Sequence, residues 1–245
     1  MIRFAALLDR LSFTPGRLEK LRLLAGYFAA TPDPDRGHAL AALTGGLALR
    51  HARPALVREL VARRVDPALF AWSYDFVGDL AETVALIWPA RPGANRPPEL
   101  AEVVDRLIGA GKAELPGLIE GWLDALDATG RWALLKLITG ALRVGVSARL
   151  AKTALAGYGG ADLAEIEEIW HGLAPPYGEL FLWLDGHRPR PTVALAATFR
   201  PLMLSTPLDE AELAGLDPGD FIAEWKWDGI RVQAAGAADP AQRRL

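Results

Sequence analysis

From Met1 to about Asp185, apolar residues recur at intervals of three and four, the spacing that lines one face of a helix. Phe4, Leu7, Leu8 and Leu11 mark the first such face. Strand-like alternation is nearly absent from this stretch. Proline and glycine clusters punctuate it at Thr31-Pro32-Asp33-Pro34, Arg91-Pro92-Gly93, Leu115-Pro116-Gly117 and Pro175-Pro176. The pattern predicts about ten short helices packed as one domain. Asp33 and Ser147 are the expected N-caps, and Gly157 to Gly160 closes the helix that Ser147 opens. No repeat of fixed period is visible, so nothing supports a solenoid.

The pattern changes at His187-Arg188-Pro189-Arg190-Pro191, where two prolines stop helix formation. Thr192 to Leu195 and Phe199 to Leu204 then favour extended structure. The expected organisation is a helical domain over 1–188 and a second region over 189–245. From Phe221 to Asp228 the side chains alternate. Phe221, Ala223, Trp225 and Trp227 fall on one face, Glu224, Lys226 and Asp228 on the other, and Ile222 alone breaks the pattern. One face is expected to pack and the other to carry chemistry. After Gly229 the phase inverts, since Ile230 and Val232 are apolar while Arg231 and Gln233 are polar, so Asp228-Gly229 is expected to bend or bulge the strand. The predicted fold is mainly α: a multi-helix domain followed by a short β segment.

A chain of 245 residues, 51% hydrophobic and 23% charged, is long enough for two domains or one domain and part of another. Cysteine is absent, which excludes disulfides, cysteine nucleophiles and thiolate zinc sites, and fits a reducing cytosol. Charge interrupts the first ten residues before a signal-peptide core forms, and no uncharged apolar run reaches spanning length. A soluble, cytoplasmic protein with no membrane partner is expected. The net charge of −3 would count against nucleic-acid binding if it were spread evenly. It is not: Arg131, Lys136, Arg143, Arg149 and Lys152 fall in one stretch without an acidic residue. A local basic surface is therefore expected inside an acidic chain.

The segment Glu224-Trp225-Lys226-Trp227-Asp228-Gly229-Ile230-Arg231 carries the candidate chemistry. Lysine is scarce here, with five lysines, at 20, 112, 136, 152 and 226, among 27 basic residues. An arginine does not lose its proton in a protein, whereas a lysine amine becomes nucleophilic when desolvated or placed near another cation. Attack by Lys226 on the α-phosphorus of a nucleotide would form a phosphoramidate and release pyrophosphate, with a divalent metal offsetting the leaving group's charge. The competing reading is a surface lysine on an edge strand beside an ordinary Asp-Gly turn. Trp72, Tyr74, Trp88, Trp122, Trp132, Trp170 and Trp183 read as packing rather than base-stacking residues. The four histidines show no metal-ligand spacing.

With these residues in view, the chain resembles bacterial ATP-dependent DNA ligases that begin with a helical DNA-binding domain. The core of the likeness is Glu224 to Arg231, which looks like the family's adenylation motif. Gly78 to Thr83 and Leu135 to Ser147 are similar to its helical domain, and Phe199 to Leu204 to the lead-in of its adenylation domain. The resemblance implies that Lys226 accepts AMP, Glu224 recognises adenine and Arg231 contacts ribose or phosphate. It implies ATP and Mg2+ as cofactors, nicked double-stranded DNA as partner and a nucleoid-associated monomer. Its activity would be nick sealing, the joining step of DNA repair, replication and recombination. The family's later motifs and metal-binding carboxylates have no counterpart after Val232, so the chain is expected to be a truncated nucleotidyltransferase, inactive alone.

RNA ligases and capping guanylyltransferases share the lysine motif, but the long helical region argues against both. NAD-dependent ligases share Lys-x-Asp-Gly, yet Arg231 stands where they do not typically keep arginine. A helical DNA-binding module without adenylation, or a decayed ligase, is the non-enzymatic alternative. For DNA contact the candidates are Arg143, Gly145, Ser147 and Arg149. A helix beginning after Ser147 offers free N–H groups to a phosphate beside basic side chains. The alternative for each arginine is a solvated helix face.

Overall fold

Phe4, Leu7, Leu8 and Leu11 become the buried face of the first helix, as their spacing predicts. In the computed structural model, residues 1–49, 51–89, 91, 96–140, 142–192, 207–225, 227, 229 and 232–236 are described. They fall into two units, Met1–Leu163 with Leu173–Pro191, and Ala164–Gly172 with Thr192–Leu245. The helices are α1 (Ile2–Phe13), α2 (Arg17–Ala30), α3 (Asp35–Thr44), α4 (Pro54–Ala62), α5 (Pro67–Val77), α6 (Leu80–Ile87) and α7 (Leu100–Gly109). They continue with α8 (Leu115–Ala125), α9 (Ala128–Thr139), α10 (Ala148–Gly159), α11 (Leu163–Trp170), α12 (Gly178–Leu184) and α13 (Glu210–Ala214). The chain is mainly helical. The described residues up to Leu184 form more helices than periodicity predicts, in part because stop and start signals adjoin. Gly78 ends α5 in a left-handed conformation and Asp79 at once caps α6, so two helices adjoin with no linker between them.

In the first unit α1 packs on α2 and α9, α9 also meets α6 and α4, and α10 packs on α2 and α3. Leu8, Leu11, Leu24, Phe28, Leu40, Leu134, Leu155 and Phe181 are fully buried between them. Each such side chain contributes roughly 1.5–3 kcal/mol of transfer free energy. Phe28, Tyr158 and Phe181 form an aromatic cluster with centroids 5.8–6.3 Å apart. Beside it Arg36 donates to Asp33 at 2.7 and 2.9 Å, to Asp185 at 2.6 Å and to the Tyr158 hydroxyl at 2.9 Å. That network corrects the expected role of Asp33. Its carboxylate is taken by Arg36, α3 starts two residues later, and Pro34 occupies the N-cap position. The aromatic expectation is corrected in part: Trp88 and Trp122 are buried, but Trp72 on α5 is 75% exposed.

The second unit differs. Its helix α13 is held by an Asp209–Glu212 capping box and is followed by a 3-10 turn at Pro218–Asp220. The expected β segment is not seen among the described residues, where Phe221 to Trp225 has no regular structure and Ala235 makes only an isolated bridge. Nor does the expected packed face form, for Phe221, Trp225 and Trp227 are exposed. Alternation licenses a strand only when neighbouring strands pair its N–H and C=O groups and a second layer covers its apolar side. None of the described residues supplies either. No helix among them is long and apolar enough to cross a membrane.

Candidate functional site

Four of the residues singled out by sequence come together around the start of α10. Ser147 is its N-cap, with the hydroxyl oxygen accepting from the Leu150 N–H at 3.1 Å, and Gly160 closes the helix at φ +63°. The Ser147 side chain satisfies one of the four N–H groups orphaned at a helix start, so the remainder keep their capacity for an anionic acceptor. Ahead of the cap, Arg143 is exposed, Val144 is buried and Gly145 takes φ +66°.

What fixes that turn comes from far away in sequence. Lys20, on α2, is only 8% exposed, and its ammonium donates to the carbonyls of Val144 at 3.1 Å and Gly145 at 2.9 Å. A Cβ on Gly145 would lie 2.2 Å from the Lys20 nitrogen. Gly145 is therefore required twice, by its positive φ and by the lysine seated against it. The ammonium, a compact donor with three directions, suits two adjacent carbonyls in a way a planar guanidinium does not.

Around this turn lies an open groove of about 870 Å3 between α2 and α10, whose lining includes Arg17, Lys20, Arg143, Gly145, Ser147 and Arg149. It contains four cations and no acidic residue. Among the described residues no carboxylate is paired with any of the four. Several other arginines are paired with acids: Arg36 with Asp33 and Asp185, Arg64 with Asp124 and Glu120, Arg106 with Glu114 and Arg188 with Glu179. In a chain with more acids than bases, a wall of unmatched positive charge beside a helix start can receive an extended polyanion.

The structure also divides the basic run read from sequence. Lys136 is buried and bonded to Asp79 at 2.8 Å and Glu82 at 3.4 Å. Burial alone would raise the Asp79 carboxyl, but the Lys136 ammonium and the backbone N–H groups at the start of α6 outweigh it and hold the group below its usual range. Arg131 donates to the Leu123 carbonyl. Neither side chain belongs to the groove. Arg17 and Lys20 do belong to it and were missed by sequence reasoning. The scarcity of lysine that marks Lys226 marks Lys20 and Lys136 equally, and both prove buried.

At the other candidate site, Glu224 is exposed in an irregular stretch. Lys226, Asp228 and Arg231 lie outside the described residues. Among those described, no group of three histidine, aspartate or glutamate side chains could hold a metal ion.

No family model matches the chain. It is similar to a protein described as a probable DNA ligase from Koribacter versatilis (strain Ellin345), at 28% identity over 240 residues. The match covers 92% of this chain and 41% of that protein, so the chain spans about two fifths of the length of the curated relative it matches. The similarity supports kinship with DNA ligases.

Proposed function

We propose that the chain is the DNA-gripping and nucleotide-accepting part of an ATP-dependent DNA ligase that seals nicks in duplex DNA. In this reading 1–188 is the helical DNA-binding domain and 189–245 the linker and opening of the adenylation domain. The carboxylate-free groove carries it: Arg17, Arg143 and Arg149 face the phosphates of one strand, the N–H groups at the start of α10 donate to a phosphate oxygen, and Lys20 keeps the turn in shape. Such contacts position a protein on DNA without reading its sequence. The similarity to a probable DNA ligase supports the same reading.

For the chemistry, Lys226 is the proposed AMP acceptor. Its amine forms a bond to the α-phosphorus of ATP as the bond to pyrophosphate breaks, with Glu224 toward adenine and Arg231 toward ribose or phosphate. Mg2+ belongs to that reaction as an expectation. Incubation with α-labelled ATP and Mg2+ tests the lysine. Label retained on the protein and lost in Lys226→Ala supports the acceptor role and overturns the expectation that this chain is inactive alone. Duplex binding with no label favours the alternative of a helical DNA-binding module without adenylation.

A further inference from the structure

Arg143 lines a second hollow as well, of about 520 Å3, built from α1, α6 and α9. It differs from the groove in charge balance. Phe13 at the end of α1 is 82% exposed, Leu86 on α6 is 71% exposed, and Trp132 on α9 is half-buried beside them. The charges in its lining balance, with Lys136 and Arg143 against Asp9 and Glu82. Lys136 is moreover already committed to Asp79 and Glu82. The chain therefore presents a groove whose charged side chains are all cationic and, beyond Arg143, a hollow whose charges cancel and where Phe13 and Leu86 stand exposed.

A DNA strand has the same alternation. Its charge is confined to the phosphates, and between them the deoxyribose rings offer uncharged, largely apolar faces. We propose that Phe13 and Leu86 form an apolar shelf that packs against deoxyribose faces of the strand whose phosphates occupy the α2–α10 groove, with Arg143 at the junction. The proposal rests on the reading of the groove as a DNA phosphate site. A shelf of this kind removes apolar surface from water without displacing counterions. It strengthens binding equally at every salt concentration, whereas the arginines set the salt dependence.

The double variant Phe13→Ala/Leu86→Ala of the 245-residue chain, titrated with nicked duplex at several salt concentrations, separates the two contributions. Both side chains are exposed, so the fold is retained, and thermal unfolding checks this. The expected result is affinity about tenfold weaker at each salt concentration, a change of roughly 1.4 kcal/mol, with an unchanged salt slope. Hydroxyl-radical cleavage should show sugars losing protection, while interference by phosphate alkylation stays as in the wild type. Affinity and sugar protection equal to the wild type, alongside a reduced slope in Arg143→Ala/Arg149→Ala, would overturn the shelf alone and leave the groove reading standing. A slope unchanged in the arginine variant would remove the groove reading and the shelf with it.

Discussion

Lys136 and Arg143 stand seven positions apart in one basic stretch, and the fold gives them opposite work. Lys136 points into the helical unit, where Asp79 and Glu82 neutralise it and the end of α9 is tied to the start of α6. Arg143 stands exposed at the groove in no ion pair with a described carboxylate, although Asp9 and Glu82 share the neighbouring hollow with it. Charge density along a sequence therefore does not measure charge presented to a ligand. What decides is whether packing brings an acid within reach, and the acids that neutralise Lys136 come from residues more than fifty positions earlier.

The largest expected difference between the two regions is in stability. Lys136→Met leaves Asp79 half-buried and without its cation. It should cost about 2 kcal/mol in urea unfolding, less than a fully buried pair because both acids are partly exposed. Arg143→Met should change stability by less than about 0.5 kcal/mol. Equal losses in the two variants would break the distinction. Gly145→Ala comes next, at about 1–2 kcal/mol, since it forces a side chain into φ +66° and against Lys20. It should also weaken duplex binding by displacing Arg143.

Acid sharpens the contrast. Asp79, Asp124 and Asp185 are each held below the ordinary value of 3.8; burial opposes this, but hydrogen bonds and charge from Lys136, Arg64 and Arg36 respectively prevail. A carboxylate with a depressed folded-state pKa stabilises the fold fully above its unfolded value, and that contribution disappears as pH falls through the lower folded value. The urea midpoint should accordingly lose these contributions below about pH 4, and Lys136→Met should lose less there than the wild type does. Parallel acid limbs would contradict the assigned pairing. The smallest effect is local: Lys20→Met should speed amide exchange at 143–147, leaving α9 unchanged.

Much of the helical unit was legible because each helix carries its own instructions. The spacing of Phe4, Leu7, Leu8 and Leu11 gave a buried face, and Ser147 and Gly160 bounded α10 as their cap chemistry requires. Asp33 misled because its carboxylate is claimed by Arg36, which Asp185 also holds in three dimensions, a competition that local sequence does not display. For the groove, Arg143, Gly145, Ser147 and Arg149 could be read together because they are neighbours in the chain. Arg17 and Lys20 could not, since α2 meets α10 only through tertiary packing. Alternation from Phe221 to Trp227 was legible as a pattern, but a strand is a property of its neighbours as much as of itself.

The central claim is that the α2–α10 groove holds DNA by neutralising its phosphates, and the salt dependence of binding tests it most directly. Nicked duplex titrated against wild type and Arg143→Ala/Arg149→Ala over a range of salt concentrations should give a slope of log affinity against log salt that is shallower in the variant. The expected difference is about 0.9 for each phosphate that the variant leaves unneutralised, so nearly 2 for both arginines. Wild-type slope and affinity in a folded variant would contradict the account.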